Sequence, residues 1–188
     1  MEDEGREEVS DQELISKVKA GEMAAFDELM RRYQKRVYFL ALKMVRDHDS
    51  ADDAVQDAFV KAYYGINRFK EDRPFYPWIY RIAMNVCINQ LNRRKRQVRF
   101  PGDIEMPAGL ASESAYSNPE KSLAEDETRA RLLRALDSLP PLQKAVLVLR
   151  AQENLSYEEI SSMLKIPKGT VMSRLSRARD KLKEALET

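Results

Sequence analysis

Apolar residues recur along this chain at helical spacing, and no segment sustains the alternation of a strand. Phe26, Met30, Tyr33, Val37, Leu40 and Met44 step by four, three, four, three and four, which places them on one face of a helix. Ahead of them, Ser10-x-x-Glu13 forms a capping box, and Gly21 ends the short helix it opens. Ser50 is expected to cap a third helix, with Val55, Ala58, Phe59, Ala62 and Tyr63 inward and Asp52, Asp53, Gln56 and Asp57 outward. A loop holding Gly65, Pro74 and Pro77 leads into a long helix from about Phe75 to Arg96, whose Trp78, Ile79, Ile82, Val86 and Leu91 point to the core. Farther on, Asn118-Pro119 reads as a helix start. Leu133 and Leu136 continue that helix, Pro140-Pro141 interrupts it, and Leu142, Val146 and Leu149 resume. The expected fold is all-α.

Breakers divide these helices into two groups. Between Gln97 and Asn118 stand Pro101, Gly102, Pro107 and Gly109, with Ser112, Ser114 and Ser117 and few large apolar residues. Such a composition buries too little surface to offset the entropy of ordering, so it reads as a flexible linker. The expected organisation is two small helical domains, residues 10–97 and 119–187, joined by a linker over 98–118.

The end of the chain has its own pattern. Ser156-Tyr157-Glu158-Glu159 is a second capping box, opening a short helix through Ile160, Met163 and Leu164. Pro167-Lys168-Gly169-Thr170 starts another, packed through Val171, Leu175, Ala178, Leu182 and Ala185. Met172, Ser173, Ser176 and Arg177 then face outward near its N-terminal end. Short helix, tight turn and longer basic helix is the layout by which a recognition helix enters the DNA major groove. On that reading Arg177 addresses guanine edges, while Lys168, Arg174, Arg179 and Lys181 address phosphates. Lys165 occupies the turn, where a left-handed backbone is least costly for glycine.

Charge sharpens the picture, because a near-neutral total of +1 over 188 residues conceals blocks. Residues 1–30 carry ten acids against three bases, and residues 101–127 seven acids against one base. Residues 81–100 carry six bases and no acid, and residues 165–183 seven bases against Asp180. Two basic patches on an otherwise acidic chain can steer a polyanion to chosen surfaces. Other classes recede. A single cysteine, Cys87, excludes an internal disulfide framework and argues against structural zinc, and the lone His48 argues against multi-histidine metal binding. Neither a phosphate-binding glycine loop nor a nucleophile beside a base is evident, so neither an enzyme nor a bound cofactor is expected. Without a long apolar run, and with the acidic start Met1-Glu2-Asp3-Glu4, a cytoplasmic protein with no membrane insertion is expected.

The helix near residues 75–96 carries the second candidate site. Arg81, Asn85, Asn89, Asn92 and Arg96 step by four, four, three and four, a polar stripe opposite the apolar one. Asparagine is a poor helix former, so three of them call for a reason beyond helicity. Their amides suit base edges, and Arg93, Arg94, Lys95 and Arg96 suit phosphates. Phe69, Phe75, Tyr76, Trp78 and Tyr80 crowd the approach. Aromatic surfaces beside basic ones hold unpaired bases, although Trp78 itself is expected in the core.

Three segments, in order, carry a family resemblance: Asp52-Asp53-Ala54-Val55-Gln56-Asp57-Ala58-Phe59, Trp78-Ile79-Tyr80-Arg81-Ile82-Ala83-Met84-Asn85 and Pro167-Lys168-Gly169-Thr170-Val171-Met172-Ser173-Arg174. From about residue 11 to residue 186 the chain resembles the extracytoplasmic-function sigma factors, the minimal two-domain form of the sigma-70 family, in its sigma-E-like group. The resemblance implies a transcription initiation factor that binds core RNA polymerase. Asp52, Asp53, Gln56 and Asp57 would dock on the beta-prime clamp coiled coil. The loop from Phe69 to Phe75 would receive a flipped base of the −10 element, with Phe69 in the pocket. Arg81, Asn85, Asn89, Asn92, Arg93 and Arg96 would follow the melted strand. Lys168, Met172, Ser173, Arg174, Ser176 and Arg177 would meet the −35 duplex of promoter DNA, and an anti-sigma factor would be a further partner. Promoter opening would then come from trapping unpaired bases, with no chemistry by the protein.

Two positions depart from the family pattern. Met172 stands where Lys or Arg is common, and Lys165 where Gly is usual. Two other readings stay open at this point: a stand-alone helix-turn-helix regulator, and a protein-interaction module that captures an anti-sigma factor.

Overall fold

The structure is a computed structural model, and it describes residues 9–99, 123–151 and 153–187, the side chains of 98, 99 and 123–126 excepted. Every regular element among them is helical. The front group contains α1 (Asp11–Lys19), α2 (Met23–Val45), α3 (His48–Gly65), a 3₁₀ turn (Ile66–Arg68) and α4 (Phe75–Arg99). The rear group contains α5 (Leu123–Ser138), α6 (Pro141–Ala151), α7 (Tyr157–Leu164) and α8 (Lys168–Glu187). The expected linker over 98–118 starts later than expected, since α4 continues through Arg99; its remainder and the Asn118-Pro119 start lie outside the described residues.

Each boundary has a local cause. Ser10 caps α1 through the reciprocal bonds of a capping box, and Gly21 takes φ +97° just past its end. Ser156 and Glu159 repeat the box at α7. Pro140-Pro141 separates α5 from α6, proline being tolerated only in the first turn of the helix it opens. The start of α3 differs from the expectation. Asp47, not Ser50, is the cap, and its carboxylate accepts from the Ser50 backbone N–H at 2.9 Å. Ser50 lies in the first turn and is buried, because the helix begins three residues earlier than its sequence signal.

α2, α3 and α4 pack together around the stripe read from the sequence. Phe26, Val37, Leu40 and Met44 of α2 meet Ala54, Ala58 and Phe59 of α3, and Ile79, Ala83, Met84 and Cys87 of α4. Small residues on α3 let the helix axes approach closely. Tyr63 departs from the expectation: it lies on the exposed side of α3, edge-on to Phe26. Trp78 is only partly buried. It lies over Gly65, where an added Cβ would stand 3.3 Å from the indole, so the missing side chain leaves the ring its seat. In the rear group Val171, Leu175 and Ala178 of α8 pack on α6 and α7, as the stepping of α8 predicts.

Candidate nucleic-acid interface

Two surfaces carry the candidate residues, and helix periodicity builds both. On α4, Asn85, Asn89, Arg93 and Arg96 are exposed and Arg81 and Asn92 half-buried, so the polar stripe faces outward along most of its length. Its two ends have different neighbours. Arg81 lines a cleft of about 680 Å³ between the front and rear groups. Asn89 and Arg93 instead share a shallow groove with Asp53 and Asp57 of α3. The acidic face of α3 is itself exposed, with Asp57 3.7 Å from Lys61 one turn on. Part of the basic end of α4 is already engaged. Arg94 bonds the Ser50 hydroxyl beside Asp47, and Lys95 donates to the Leu139 carbonyl at 2.8 Å.

The cleft has an aromatic floor. Phe69 and Trp78 lie with ring centroids 4.7 Å apart, and Phe75 stands edge-on behind Phe69 at 6.1 Å. Phe75 is 1% exposed, packed among Tyr33, Phe69 and Trp78, so it supports the loop and presents no ring face to a strand. Phe69 is 6% exposed and lines the floor. Tyr76 and Tyr80 lie beside them, their rings tilted against each other with centroids 4.2 Å apart. Burial first, then the neighbouring Tyr76, pushes the Tyr80 hydroxyl well above its usual pKa, so it remains a neutral donor, directed at the Arg36 carbonyl.

Sequence reasoning passed over the rim of this cleft. Arg68, Lys70 and Arg73 surround Phe69 together with Arg81. In the sequence these cations are interleaved with Glu71 and Asp72, which hides them in a neutral count. The structure separates the signs. Glu71 turns away to Lys19 at 2.7 Å and to the Ser16 hydroxyl at 2.9 Å, and those bonds hold its carboxyl below the usual range. The loop therefore shows a cationic rim to the cleft.

On the rear group, α7, the turn and α8 form a helix-turn-helix. Lys165 closes α7 with φ 53°, the left-handed conformation that its place in the turn requires, and its N–H donates to the Ser161 carbonyl. Beyond the turn, Met172, Ser173, Ser176 and Arg177 are exposed on the outer face of α8. Ser173 donates back to the Thr170 carbonyl at 3.1 Å, and Ser176 lies 3.4 Å from Asp180. Lys168 is paired with Glu158 across the turn. Arg174 is half-buried, with Nη1 shut from solvent. Met172 and Arg177 are thus the long side chains left reaching outward.

An exposed Asn/Arg stripe on α4 and a helix-turn-helix at α7 and α8, in a chain whose described elements are all helical, lie within two matched segments of one family. Residues 29–97 match the Sigma-70 region 2 family and residues 129–182 the Sigma-70, region 4 family. The RNA polymerase sigma-H factor of Pseudomonas aeruginosa is 36% identical over 184 residues, covering 94% of both chains. The chain belongs to the sigma-70 family, in its extracytoplasmic-function branch. The sigma-E factor of Escherichia coli is 38% identical over 180 residues, 93% of each chain. Among solved structures, CnrH in complex with the cytosolic domain of CnrY aligns with a TM-score of 0.62 at 27% identity, over 94% of this chain and 97% of that one. The sigma factor RpoE of Bartonella quintana, solved with the anti-sigma factor NepR, shares the fold, with a TM-score of 0.63 at 24% identity over 87% of this chain and 97% of that one. The role is that of an RNA polymerase sigma factor in promoter-specific initiation, and such a factor catalyses no reaction. Among the described residues no cluster of side chains could hold a metal ion, and no helix is long and apolar enough to cross a membrane.

Proposed function

We propose that this sigma factor divides its work between its two helical groups. Residues 10–97 bind core polymerase and open the −10 element, residues 119–187 read the −35 duplex, and residues 98–118 link them. Asp52, Asp53, Gln56 and Asp57 dock on the beta-prime clamp coiled coil. Arg81, Asn85, Asn89, Asn92, Arg93 and Arg96 follow the melted strand, with a flipped base received above Phe69. Phe75 serves as a support beneath that pocket. Lys168, Met172, Ser173, Arg174, Ser176 and Arg177 face the −35 duplex, with Arg177 on base edges. Flipping a base costs a few kcal/mol of stacking, which an aromatic floor and cationic rim can return. The protein acts in the cytoplasm, and a protein partner of the anti-sigma kind controls its release.

The observation that carries this reading is the continuous exposed stripe of Asn85, Asn89, Arg93 and Arg96, set beside the acidic face of α3. A solitary helix-turn-helix regulator would have no use for either surface. The test is run-off transcription with purified core polymerase, followed by permanganate footprinting of Asn85→Ala. Start sites that require this protein, and a mutant that binds core yet opens DNA poorly, are the expected results. Duplex binding and regulation without core would favour the stand-alone regulator. Normal opening by the mutant would remove the single-strand role of the stripe.

A further inference from the structure

Near the N-terminal end of α8 the outward face mixes polar residues with one apolar side chain. Val171, Leu175 and Ala178 fill the inner face, whereas Met172 is 51% exposed. A single exposed apolar residue is ordinary on a protein surface. Here its neighbours give it a definite share of the contact. Ser173 donates its hydroxyl to the Thr170 carbonyl at 3.1 Å, and Ser176 lies 3.4 Å from Asp180, so both short side chains turn back onto α8. Lys168 is paired with Glu158, and Arg174 is half-buried. Within residues 168–177, Met172 and Arg177 are the long side chains left to reach a ligand.

The ground beside them is low. A Cβ added at Gly169, about one turn before Met172 and Ser173, would meet nothing within 4 Å. At about 1.5 Å and 100° per residue, Met172 and Arg177 stand about 7.5 Å apart along the helix axis and about 140° apart around it. That distance is roughly twice the step of about 3.4 Å between stacked base pairs, so the two side chains meet different pairs.

The two also differ in kind. A guanidinium supplies donors for guanine O6 and N7. A thioether carries no donor and only a weak acceptor, on a flexible apolar stem. Set against the N4 amino group of cytosine or the acceptors of a purine, it strips water and returns no good hydrogen bond. The apolar group that bases show in the major groove is the C5-methyl of thymine. We propose, resting on the reading of α8 given above, that Met172 is a thymine reader. Its side chain packs on the C5-methyl of a thymine in the −35 duplex, at a base pair other than the one that Arg177 addresses. The −35 preference then has two separable elements, one polar and one apolar.

The test uses holoenzyme assembled from the full chain and core polymerase. Promoter fragments are taken from the start sites that run-off transcription identifies, and are randomised over the −35 segment before selection by binding. Wild type is expected to enrich a thymine at one position and a guanine at another. Met172→Ala loses the thymine and keeps the guanine, and Arg177→Ala does the reverse. Deoxyuridine in place of the selected thymine removes only the methyl. It should weaken wild-type binding about threefold to fivefold, the worth of one buried methyl, and Met172→Ala binding less than about 1.5-fold. Wild type that is indifferent to deoxyuridine overturns the methyl contact, and so does equal sensitivity in wild type and Met172→Ala. Enrichment of guanine without any thymine overturns the thymine reader and leaves the duplex reading of α8 standing. A wild type that enriches no −35 base overturns the reading of α8 itself, and Met172 falls with it.

Discussion

Asp47 and Ser50 close the N-terminus of α3 through a carboxylate that accepts from the Ser50 backbone N–H at 2.9 Å and also from its hydroxyl. These bonds first, and then Arg94, hold the Asp47 carboxyl below its ordinary range. Removing such a cap costs about 1 kcal/mol, so Asp47→Ala should lower the unfolding free energy by that amount and the denaturant midpoint in proportion, with the slope unchanged. The pH dependence has a definite sign. The folded pKa is depressed, so the stabilisation is complete above the unfolded value near 3.9 (about the model-peptide figure) and is lost as pH falls through the folded value. Asp47→Asn keeps an acceptor but cannot titrate. The gap in stability between wild type and Asp47→Asn should therefore narrow between pH 7 and pH 3, as urea melts at the two pH values would reveal.

A second prediction concerns the turn before α8. Lys165 holds φ 53°, a conformation that costs a side-chain-bearing residue roughly 1 kcal/mol relative to glycine. Lys165→Gly removes that strain while the N–H still donates to Ser161. Glycine also loses more chain entropy on folding, which takes back part of the gain. The expected result is a rear group stabilised by about 0.5 to 1 kcal/mol, visible as a raised midpoint in thermal melts. A lowered midpoint would mean that the Lys165 side chain makes a contact worth more than the strain.

How much of this was legible beforehand depended on the range of the interaction. The stripes of α2 and α8 and both capping boxes are local patterns with a fixed period, and the helices follow them. The cap of α3 was misplaced because Asp47 and Ser50 are both good capping residues, and tertiary burial of Ser50 decides between them. Phe75 and Trp78 traded environments for a similar reason. Periodicity gives the inward face but not its depth, and the absence of a side chain at Gly65 seats Trp78 in the floor of the cleft. The cationic rim was invisible because Lys19, fifty-two residues from Glu71, neutralises one of the acids masking it. Contacts between the two helical groups leave no periodic trace at all.

Lys144 supplies a third prediction. It is 3% exposed, paired at 3.0 Å with Asp137, and desolvation lowers its pKa despite that partner. A lysine depressed in the fold is bound by fewer protons there than when unfolded, so stability rises as pH climbs from the folded value through the unfolded one near 10.4 (about the model-peptide figure). At neutral pH the burial of its charge is a cost. Lys144→Met keeps the apolar stem and removes the charge, while Asp137 keeps Arg46 at 3.2 Å and stays half open to water. Replacing a buried ion by an apolar isostere is often neutral or stabilising by roughly 1–4 kcal/mol. The melting temperature of Lys144→Met should match or exceed that of wild type at pH 7. A clear drop would show that the ion pair contributes more than its desolvation removes.

If the outer face of α8 meets duplex DNA as proposed, a single salt titration tells two kinds of contact apart. Arg177 is exposed where a guanidinium can pair with guanine O6 and N7, a contact worth about 1–3 kcal/mol and specific to one base. Arg177→Ala should lose that much affinity on the cognate −35 duplex and much less on a scrambled one. Met172 is exposed on the same face with an apolar side chain where a cation is usual in the family. A cation added there can reach only what lies opposite. If that is the phosphate backbone, Met172→Arg raises affinity for both duplexes alike and steepens the plot of log K against log salt by about 0.9, the release of one counterion. Fluorescence anisotropy across 50 to 200 mM salt, on the order used for such slopes, measures both variants. An unchanged slope in Met172→Arg would place residue 172 away from the backbone, and the departure at that position would then bear on base preference alone.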